Sequence, residues 1–153
     1  MSAVLRSAPR FEPMTEADLN AVLEIEKSIY AFPWTPANFQ DSLRAGYSCW
    51  VYRDGSELIG YAVLMLAAGE AHLLNLSVAA HAQSRGHGRT LLDSLAGIAR
   101  RYGAKVLFLE VRPSNEVGQR LYAGYGFKQV GVRRSYYPAR QGREDALVLS
   151  LAL

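Results

Sequence analysis

The sequence has little cysteine: Cys49 is the only one among 153 residues. A single thiol cannot form an internal disulfide, and it cannot build a zinc site from cysteines. Cys49 stands beside Trp50 in a strand-like stretch, so we expect it to be a buried thiol without a chemical role.

Long apolar runs are also absent. The longest, 58–69, spans 12 residues, which is too short to cross a bilayer and is typical of a buried strand. The first six residues do not place a cationic stretch before a long apolar one, which predicts no secretory signal. We therefore expect a cytoplasmic protein that does not associate with membranes.

Neither sign of charge is in large excess. The chain carries 17 basic and 14 acidic residues, for a formal net charge of +3. Fourteen of the basic residues are arginine, which suits phosphate or carboxylate recognition. An anionic ligand, a nucleic-acid-rich neighbourhood and a solvated surface all account for this composition. We expect no direct nucleic-acid binding. With 50% hydrophobic residues, the chain can bury one core.

Hydrophobic periodicity and turn residues predict the order β-α-α-β-β-β-α-β-α-β-β, a mixed α/β sheet with helices on both faces. Residues 1–8 are predicted to be a loose leader and 9–153 one domain. Gly88 to Tyr102 is predicted as a helix with Tyr102 facing inward, and Val106 to Val111 as a strand buried on both faces. A loop of about a dozen residues is predicted between Arg133 and Ala146.

The first candidate for chemistry is the turn Gln83-Ser84-Arg85-Gly86-His87-Gly88. It lies between a predicted strand and a predicted helix, and its two glycines allow a tight turn and close approach of a ligand. Free N–H groups at the start of the helix favour a phosphate or pyrophosphate. The alternative is an ordinary glycine-rich turn. The motif is neither a Rossmann fingerprint, since Leu91 replaces the third glycine, nor a Walker loop.

The second candidate is Glu110, which interrupts an apolar strand on the face shared with Val106 and Phe108. An unpaired carboxylate there would be costly, so a cleft or a partner is expected. Glu110 could serve as a general base with a pKa raised by partial burial. Alternatively, it is a structural carboxylate paired with Arg112 or another arginine.

The third candidate is the pair Asn115 and Tyr122, which are two helical turns apart and share one helix face. The tyrosine hydroxyl could donate a proton to a leaving group, and the asparagine could hold a polar ligand. The alternative is a helix cap and a packed tyrosine.

Other catalytic classes lack their motifs. The three histidines, at positions 72, 81 and 87, have no i,i+4 partner and no nearby carboxylate cluster, so we expect no metal site. The sequence also has no Gly-x-Ser-x-Gly elbow, which disfavours a serine hydrolase.

Taken in order, these motifs resemble the GCN5-related N-acetyltransferase (GNAT) family. The resemblance rests on Leu76-Ser77-Val78, on Gln-x-x-Gly-x-Gly from Gln83, and on Asn-x6-Tyr from Asn115, and it runs from about Phe11 to Leu151. It implies a single-domain, largely antiparallel mixed sheet of six to seven strands with about four helices on its two faces. It also implies a splay between the two central parallel strands, with acetyl-CoA as co-substrate and no metal.

Further stretches resemble the bacterial branch of this family that acetylates the N-terminal alanine of a small-subunit ribosomal protein. They are Ala31–Trp34, Leu109–Arg112, Ser114–Asn115, Leu121–Tyr122, Gly126–Phe127, Arg133–Pro138 and Gly142–Ala146. The implied partner is therefore the N-terminal segment of a ribosomal protein.

The resemblance also implies residue roles. Glu110 would accept a proton and Tyr122 would donate one. The residues that would contact acetyl-CoA are Leu76, Ser77, Val78, Ser84, Arg85, Gly86, His87, Gly88, Arg89 and Asn115. Those that would contact the acceptor peptide are Tyr30, Phe32, Trp34, Arg134, Tyr136 and Tyr137.

Two other functions stay open at this point. The chain could acetylate a small amine, such as a polyamine or an amino sugar. It could also be a non-catalytic module that senses CoA or binds the ribosome. Comparing an alanine-initiated peptide with free amines as acceptors separates the first, and the absence of acetyl transfer would indicate the second.

Overall fold

The computed structural model describes residues 8–153, which form seven strands and four helices in the order predicted. The strands are β1 Arg10–Pro13, β2 Ser48–Asp54, β3 Glu57–Ala67, β4 Glu70–Val78, β5 Val106–Val111, β6 Lys128–Pro138 and β7 Arg143–Ala152. The helices are α1 Leu19–Ile29, α2 Pro36–Arg44, α3 His87–Tyr102 and α4 Glu116–Tyr125. The division into 1–8 and 9–153 stays a prediction, because residues 1–7 lie outside the described part.

The seven strands form one sheet in the order β1-β2-β3-β4-β5-β7-β6. Every neighbouring pair is antiparallel except β4 and β5, which run parallel. The predicted mixed, largely antiparallel sheet is therefore confirmed.

Local capping explains where the first helices begin. Thr35 accepts a hydrogen bond from the Asn38 backbone N–H at 3.2 Å, and the Asn38 side chain accepts one from the Thr35 N–H at 2.9 Å. This reciprocal box, with Pro36 at the first helical position, fixes the start of α2. The equivalent box of Thr15 and Asp18 opens a short 3-10 turn that leads into α1.

Two apolar layers cover the two faces of the sheet. On one face, α1 and α2 pack through Val22 and Phe39 on the β2 and β3 side chains Val51 and Val63. On the other face, α3 packs with β4 and β5, and this cluster also takes in Tyr122 of α4; its larger members are Leu64, Leu73, Leu92, Leu95, Leu107, Leu109, Tyr122 and Phe127. The sheet thus lies between two apolar layers, which hold its strands in place.

The parallel pair β4 and β5 separates before either strand ends. Its register runs from Glu70↔Val106 to Leu73↔Leu109, whereas β4 continues to Val78 and β5 to Val111. At the same level, β4 shifts its register against β3, because Leu74 has no partner between Val63 and Leu64. The expected splay between the two central parallel strands is therefore present.

Three details of the sequence prediction are wrong. The stretch predicted as a loop before Ala146 is mostly strand, since β6 and β7 form a hairpin whose connection is only 139–142. Tyr102 is exposed rather than inward, because it occupies the last turn of α3. In β5 one face is buried and the other only half-buried, which leaves Glu110 accessible from one side.

Within residues 8–153, no helix combines the length and apolar character that crossing a membrane requires.

Candidate active site

Glu110 lies where β5 parts from β4, and both of its carboxylate oxygens are engaged. His72 Nε2, on β4, is 2.5 Å from Oε2, and Arg133 Nε, on β6, is 3.2 Å from Oε1. The Glu110 side chain is 7% exposed, while that of Arg133 is 57% exposed. Glu110, His72 and Arg133 line a cavity of about 270 Å³, so the carboxylate is buried but reachable.

The pKa of Glu110 differs from the sequence-based expectation. Burial by itself raises the pKa of Glu110, but the hydrogen bond and charge of His72, together with those of Arg133, hold it below its usual range. The predicted raised pKa is therefore wrong, since two cationic or hydrogen-bonding partners outweigh desolvation. The expected pairing of Glu110 with Arg112 or another arginine is present, with Arg133 as the arginine. The role of Glu110 as a base stays a prediction.

Tyr122 lies on α4 with its ring in the apolar layer. The ring packs edge-on against Phe127, with 5.5 Å between centroids. Burial, and to a lesser extent the nearby Tyr30 and Tyr137 hydroxyls, raise the pKa of Tyr122. The phenol therefore keeps its proton at neutral pH.

Asn115 is the N-cap of α4. Its Oδ1 accepts a hydrogen bond from the Gly118 backbone N–H at 2.9 Å. A Cβ on Gly118 would lie 2.6 Å from Asn115 Nδ2, so the glycine is what allows the cap to fold back over the helix. The capping alternative is confirmed, and a contact between Asn115 and a ligand stays a prediction.

The turn after β4 presents unpaired backbone donors. Gly86, the residue before α3, has φ +84°, a left-handed conformation that favours glycine. In the described part of the chain, the N–H groups of 85–89 have no hydrogen-bond partner, and no side chain caps the helix. Added atoms at Gly86 would meet open space. This arrangement has the geometry of an anion site at a helix start.

Side chains also fix the end of β4 that leads into this turn. Gln83 Nε2 donates to the Val78 carbonyl at 3.0 Å, and the Tyr30 hydroxyl oxygen lies 3.3 Å from the Leu76 carbonyl oxygen. Burial raises the pKa of Tyr30 to about 12, so it remains a donor. The backbone of 76–78 is therefore held in place in the region where β5 no longer pairs with it.

On the opposite side of the cleft, Arg112 joins three segments. Its guanidinium lies 4.3 Å from the Tyr137 ring centroid and 5.3 Å from that of Phe32. It also donates to the Pro138 carbonyl at 2.7 Å and to Glu144 at 3.2 Å. The segment around Phe32 and the β6–β7 hairpin are thus brought together beside Glu110.

The remaining predicted peptide-contacting residues divide into two groups. Phe32 and Tyr136 are exposed apolar side chains, at 40% and 44%, and Arg134 is exposed on β6. Trp34 instead turns inward, with its ring 5.0 Å from that of Phe39. The Trp34 ring is therefore engaged with α2, and a contact between Trp34 and a peptide stays a prediction.

Sequence reasoning missed His72 and Glu26. His72 pairs in register with Phe108, two residues before Glu110 on β5, which places both polar side chains on one face. Glu26 is 1% exposed within α1. Only the strand register reveals the role of His72. For Glu26 the sequence did hold a signal, which is a charged residue on the apolar face of an amphipathic helix.

Residues 8–153 contain no group of three or more histidine, cysteine, aspartate or glutamate side chains arranged to hold a metal ion.

Comparison with known proteins gives a consistent result. The model of the acetyltransferase (GNAT) family matches residues 19–127, a range that includes Glu110, Asn115 and Tyr122. The ribosomal protein bS18-alanine N-acetyltransferase of Haemophilus ducreyi is 34% identical over 143 residues, covering 93% of this chain and 99% of that protein. The protein of the same name from Escherichia coli strain K12 is 35% identical over 136 residues, covering 89% and 92%.

A solved structure is similar in fold as well as in sequence. The crystal structure of the ribosomal-protein-S18-alanine N-acetyltransferase from Escherichia coli has a TM-score of 0.87 to this chain. The two are 32% identical, and the match covers 95% of this chain and 94% of that one.

Proposed function

The chain belongs to the GNAT acetyltransferase family, and from that premise we propose that it acetylates the N-terminal α-amine of a ribosomal protein. The acceptor is the N-terminal alanine of a small-subunit ribosomal protein, and acetyl-CoA is the acetyl donor. One observation carries this proposal. Relatives that are named for this reaction match nearly the whole of this chain, and the match covers nearly the whole of each relative. The reaction takes place in the cytoplasm, where ribosomal proteins are made.

The turn before α3 fits the charged part of acetyl-CoA. The free N–H groups of 85–89 and the left-handed Gly86 suit a pyrophosphate. Bound there, acetyl-CoA would supply an acetyl group activated as a thioester. The residues that would hold it are Leu76, Ser77, Val78, Ser84, Arg85, Gly86, His87, Gly88, Arg89 and Asn115. The Asn115 side chain has Nδ2 left for this contact, because Oδ1 caps α4.

The backbone at Val78 assists the acyl transfer. The β4 stretch 74–78 has no β5 partner, and the Val78 carbonyl is already bound by Gln83. We assign the N–H groups near Val78 to stabilise the negative charge that grows on the thioester oxygen. Donors fixed before the reaction need no reorganisation during it.

Glu110 deprotonates the acceptor. A peptide α-amine has a pKa of roughly 7.7–8.0, so much of it is an unreactive ammonium at neutral pH. Because His72 and Arg133 hold the Glu110 pKa low, the carboxylate is ionised and attracts that ammonium. The same low pKa makes Glu110 a weak base, so the proton passes on to water. The free amine then attacks the acetyl carbonyl, and its nitrogen gives up a second proton to water as the carbon–sulfur bond breaks.

Tyr122 donates the proton that the departing thiolate needs. Its raised pKa keeps the phenol protonated, so the hydroxyl holds a proton that it can give to the thiolate and regain from water. Cys49 is buried with a pKa raised by burial to about 11. It therefore stays a neutral thiol, and the transfer proceeds directly from donor to amine.

The acceptor peptide lies between the 30–34 segment and the β6–β7 hairpin. Arg112 holds these two walls together through Phe32 and Tyr137. The residues that would contact the peptide are Tyr30, Phe32, Trp34, Arg134, Tyr136 and Tyr137.

Intact-mass analysis tests this function. The protein is incubated with acetyl-CoA and a synthetic alanine-initiated peptide from the ribosomal protein, and a gain of one acetyl group at the α-amine is expected. The same peptide with a blocked α-amine, and a polyamine, are the controls. Acetylation of the polyamine but not of the free peptide would show that the chain is a small-amine acetyltransferase.

A further inference from the structure

The acetyl-transfer chemistry leaves one buried charged group unexplained. Glu26 of α1 is 1% exposed, and its two oxygens receive three hydrogen bonds. The Tyr61 hydroxyl and Asn75 Nδ2 donate to Oε1 at 2.8 and 3.1 Å, and the Trp34 backbone N–H donates to Oε2 at 2.9 Å. A buried charge without such partners would be costly, so these three donors are what keeps Glu26 in the core.

A chain of hydrogen bonds runs from Glu26 through two buried side chains of β4 to Tyr30. Asn75 donates to Glu26 through its amide and accepts from the Ser77 hydroxyl at 2.7 Å. Because the Ser77 hydroxyl donates to Asn75, the Tyr30 hydroxyl, 2.6 Å away, donates to Ser77. All three donors along this chain point toward the carboxylate, which accepts hydrogen bonds and donates none.

Both ends of the 30–34 segment are therefore attached to the same carboxylate. Trp34 is bound directly through its N–H, and Tyr30 is bound through Ser77 and Asn75. The strand that carries Asn75 and Ser77 also carries the 76–78 backbone of the thioester site. One buried group thus fixes a wall of the peptide groove against the donor strand.

We propose that Glu26 is a positioning residue for the acceptor: it anchors both ends of the 30–34 segment on β4. This inference rests on the proposed function, in which 30–34 borders the peptide groove. A purely structural role explains less, because a buried ion pair or charge gives little stability over apolar packing of the same volume. Only a carboxylate accepts these three bonds at once, since an amide would turn a donor toward one of them.

Steady-state kinetics with the alanine-initiated ribosomal peptide test the proposal. Glu26→Gln is expected to raise the KM for the peptide about tenfold, the effect of losing one hydrogen bond to a charged group. The KM for acetyl-CoA is expected to stay within about twofold, because 76–78 would meet acetyl-CoA through backbone groups, whereas Ser77 takes part in this network through its side chain.

Tyr61→Phe is the matched control. It removes one donor from the same carboxylate but leaves both attachments of the 30–34 segment. The KM for the peptide is therefore expected to stay within about twofold of the wild type. Equal increases in the two variants would show a general loss of core packing, and no increase in Glu26→Gln would show no positioning role. Either result overturns the proposal.

Ser77→Ala decides the question if Glu26→Gln does not fold. It breaks the chain from Tyr30 without disturbing the buried charge, and about a threefold higher KM for the peptide is expected from one neutral hydrogen bond. An unchanged KM overturns the proposal. Acetylation by the wild-type enzyme separates the two levels: if it fails, the proposed function is wrong and this inference falls with it.

Discussion

Burial and two neighbouring side chains have opposite effects on the charge of Glu110. Burial raises its pKa, while His72 and Arg133 lower it further than burial raises it. A group with a lowered pKa is already ionised well below neutral pH. The rise of kcat/KM with pH should therefore follow the peptide amine, with a pKa of roughly 7.7–8.0, and not the enzyme carboxylate.

Glu110→Gln tests this assignment. Loss of the negative charge removes both the attraction for the ammonium and the proton acceptor, and kcat/KM at pH 7 is expected to fall about 100-fold. At pH 9, where the amine is largely free, the loss should be smaller. Initial rates between pH 6 and pH 9 measure it. A loss that is equal at all pH values would indicate that Glu110 is a structural carboxylate only.

Tyr122→Phe separates proton donation from packing. The ring and its contact with Phe127 remain, so stability should change little. Without the hydroxyl, kcat is expected to fall about 100-fold, while the dissociation constant of acetyl-CoA measured by calorimetry stays the same. Unchanged kcat would remove Tyr122 from the proposed role.

Single residues differ in how far the sequence could predict them. Glu110 was found because a carboxylate in an apolar strand requires a partner. The direction of its pKa shift was predicted wrongly, because the partners that set it, His72 and Arg133, belong to other strands. They lie 38 residues before Glu110 and 23 after it along the chain. Such partners depend on strand register, which a single sequence does not give.

At the scale of elements, the β6–β7 hairpin shows how side chains replace backbone pairing. The ladder is interrupted between Arg133 and Tyr137, where Ser135 has φ +52°. Asp145 accepts from the Ser135 N–H at 2.8 Å, and Arg143 donates to the Ser135 carbonyl at 2.7 Å. The segment is rich in Arg, Tyr, Pro and Gly, so its composition predicted a loop. These two charged residues are what keep it in the hairpin.

Arg112→Lys tests the hairpin's attachment to the site. A lysine ammonium cannot stack flat on Tyr137 and Phe32 while donating to both Pro138 and Glu144. The KM for the peptide is expected to rise about tenfold as the two walls lose alignment, with the KM for acetyl-CoA unchanged. Arg140→Lys, on the exposed 139–142 connection, is the control. Equal kinetics in the two variants would contradict a role for Arg112 in the peptide groove.

The starts of the first two helices depend on local sequence. They are set by Thr35 with Pro36 and by Thr15 with Asp18. A cap can be recognised in the sequence because it is a local hydrogen bond within four residues. The exposed Tyr102 was mispredicted since periodicity alone does not show that the last turn of α3 extends beyond the sheet.

At the scale of the whole molecule, the splay between β4 and β5 lies where the donor and acceptor sides of the proposed reaction would meet. In the proposed function, β4 would provide the donor side, with 76–78 leading into the turn before α3, and β5 would provide Glu110 on the acceptor side. Their pairing ends at Leu73↔Leu109, so the cleft exists because the sheet is incomplete there. The two apolar layers and the remaining continuous strand pairs hold the sheet together around it.

Binding of acetyl-CoA should therefore stabilise the whole fold. At 100 times its dissociation constant, a ligand adds about 2.7 kcal/mol to the free energy of unfolding. For a domain of this size, that corresponds to a Tm increase of about 5–10 °C, which differential scanning fluorimetry can measure.

Gly86→Ala should reduce the increase, since alanine in a left-handed conformation costs about 1–2 kcal/mol and shifts the turn that presents the N–H groups of 85–89. Gly124→Ala, which is also in open space but lies in α4, should keep the full increase. If Gly86→Ala keeps it too, the turn does not hold the nucleotide.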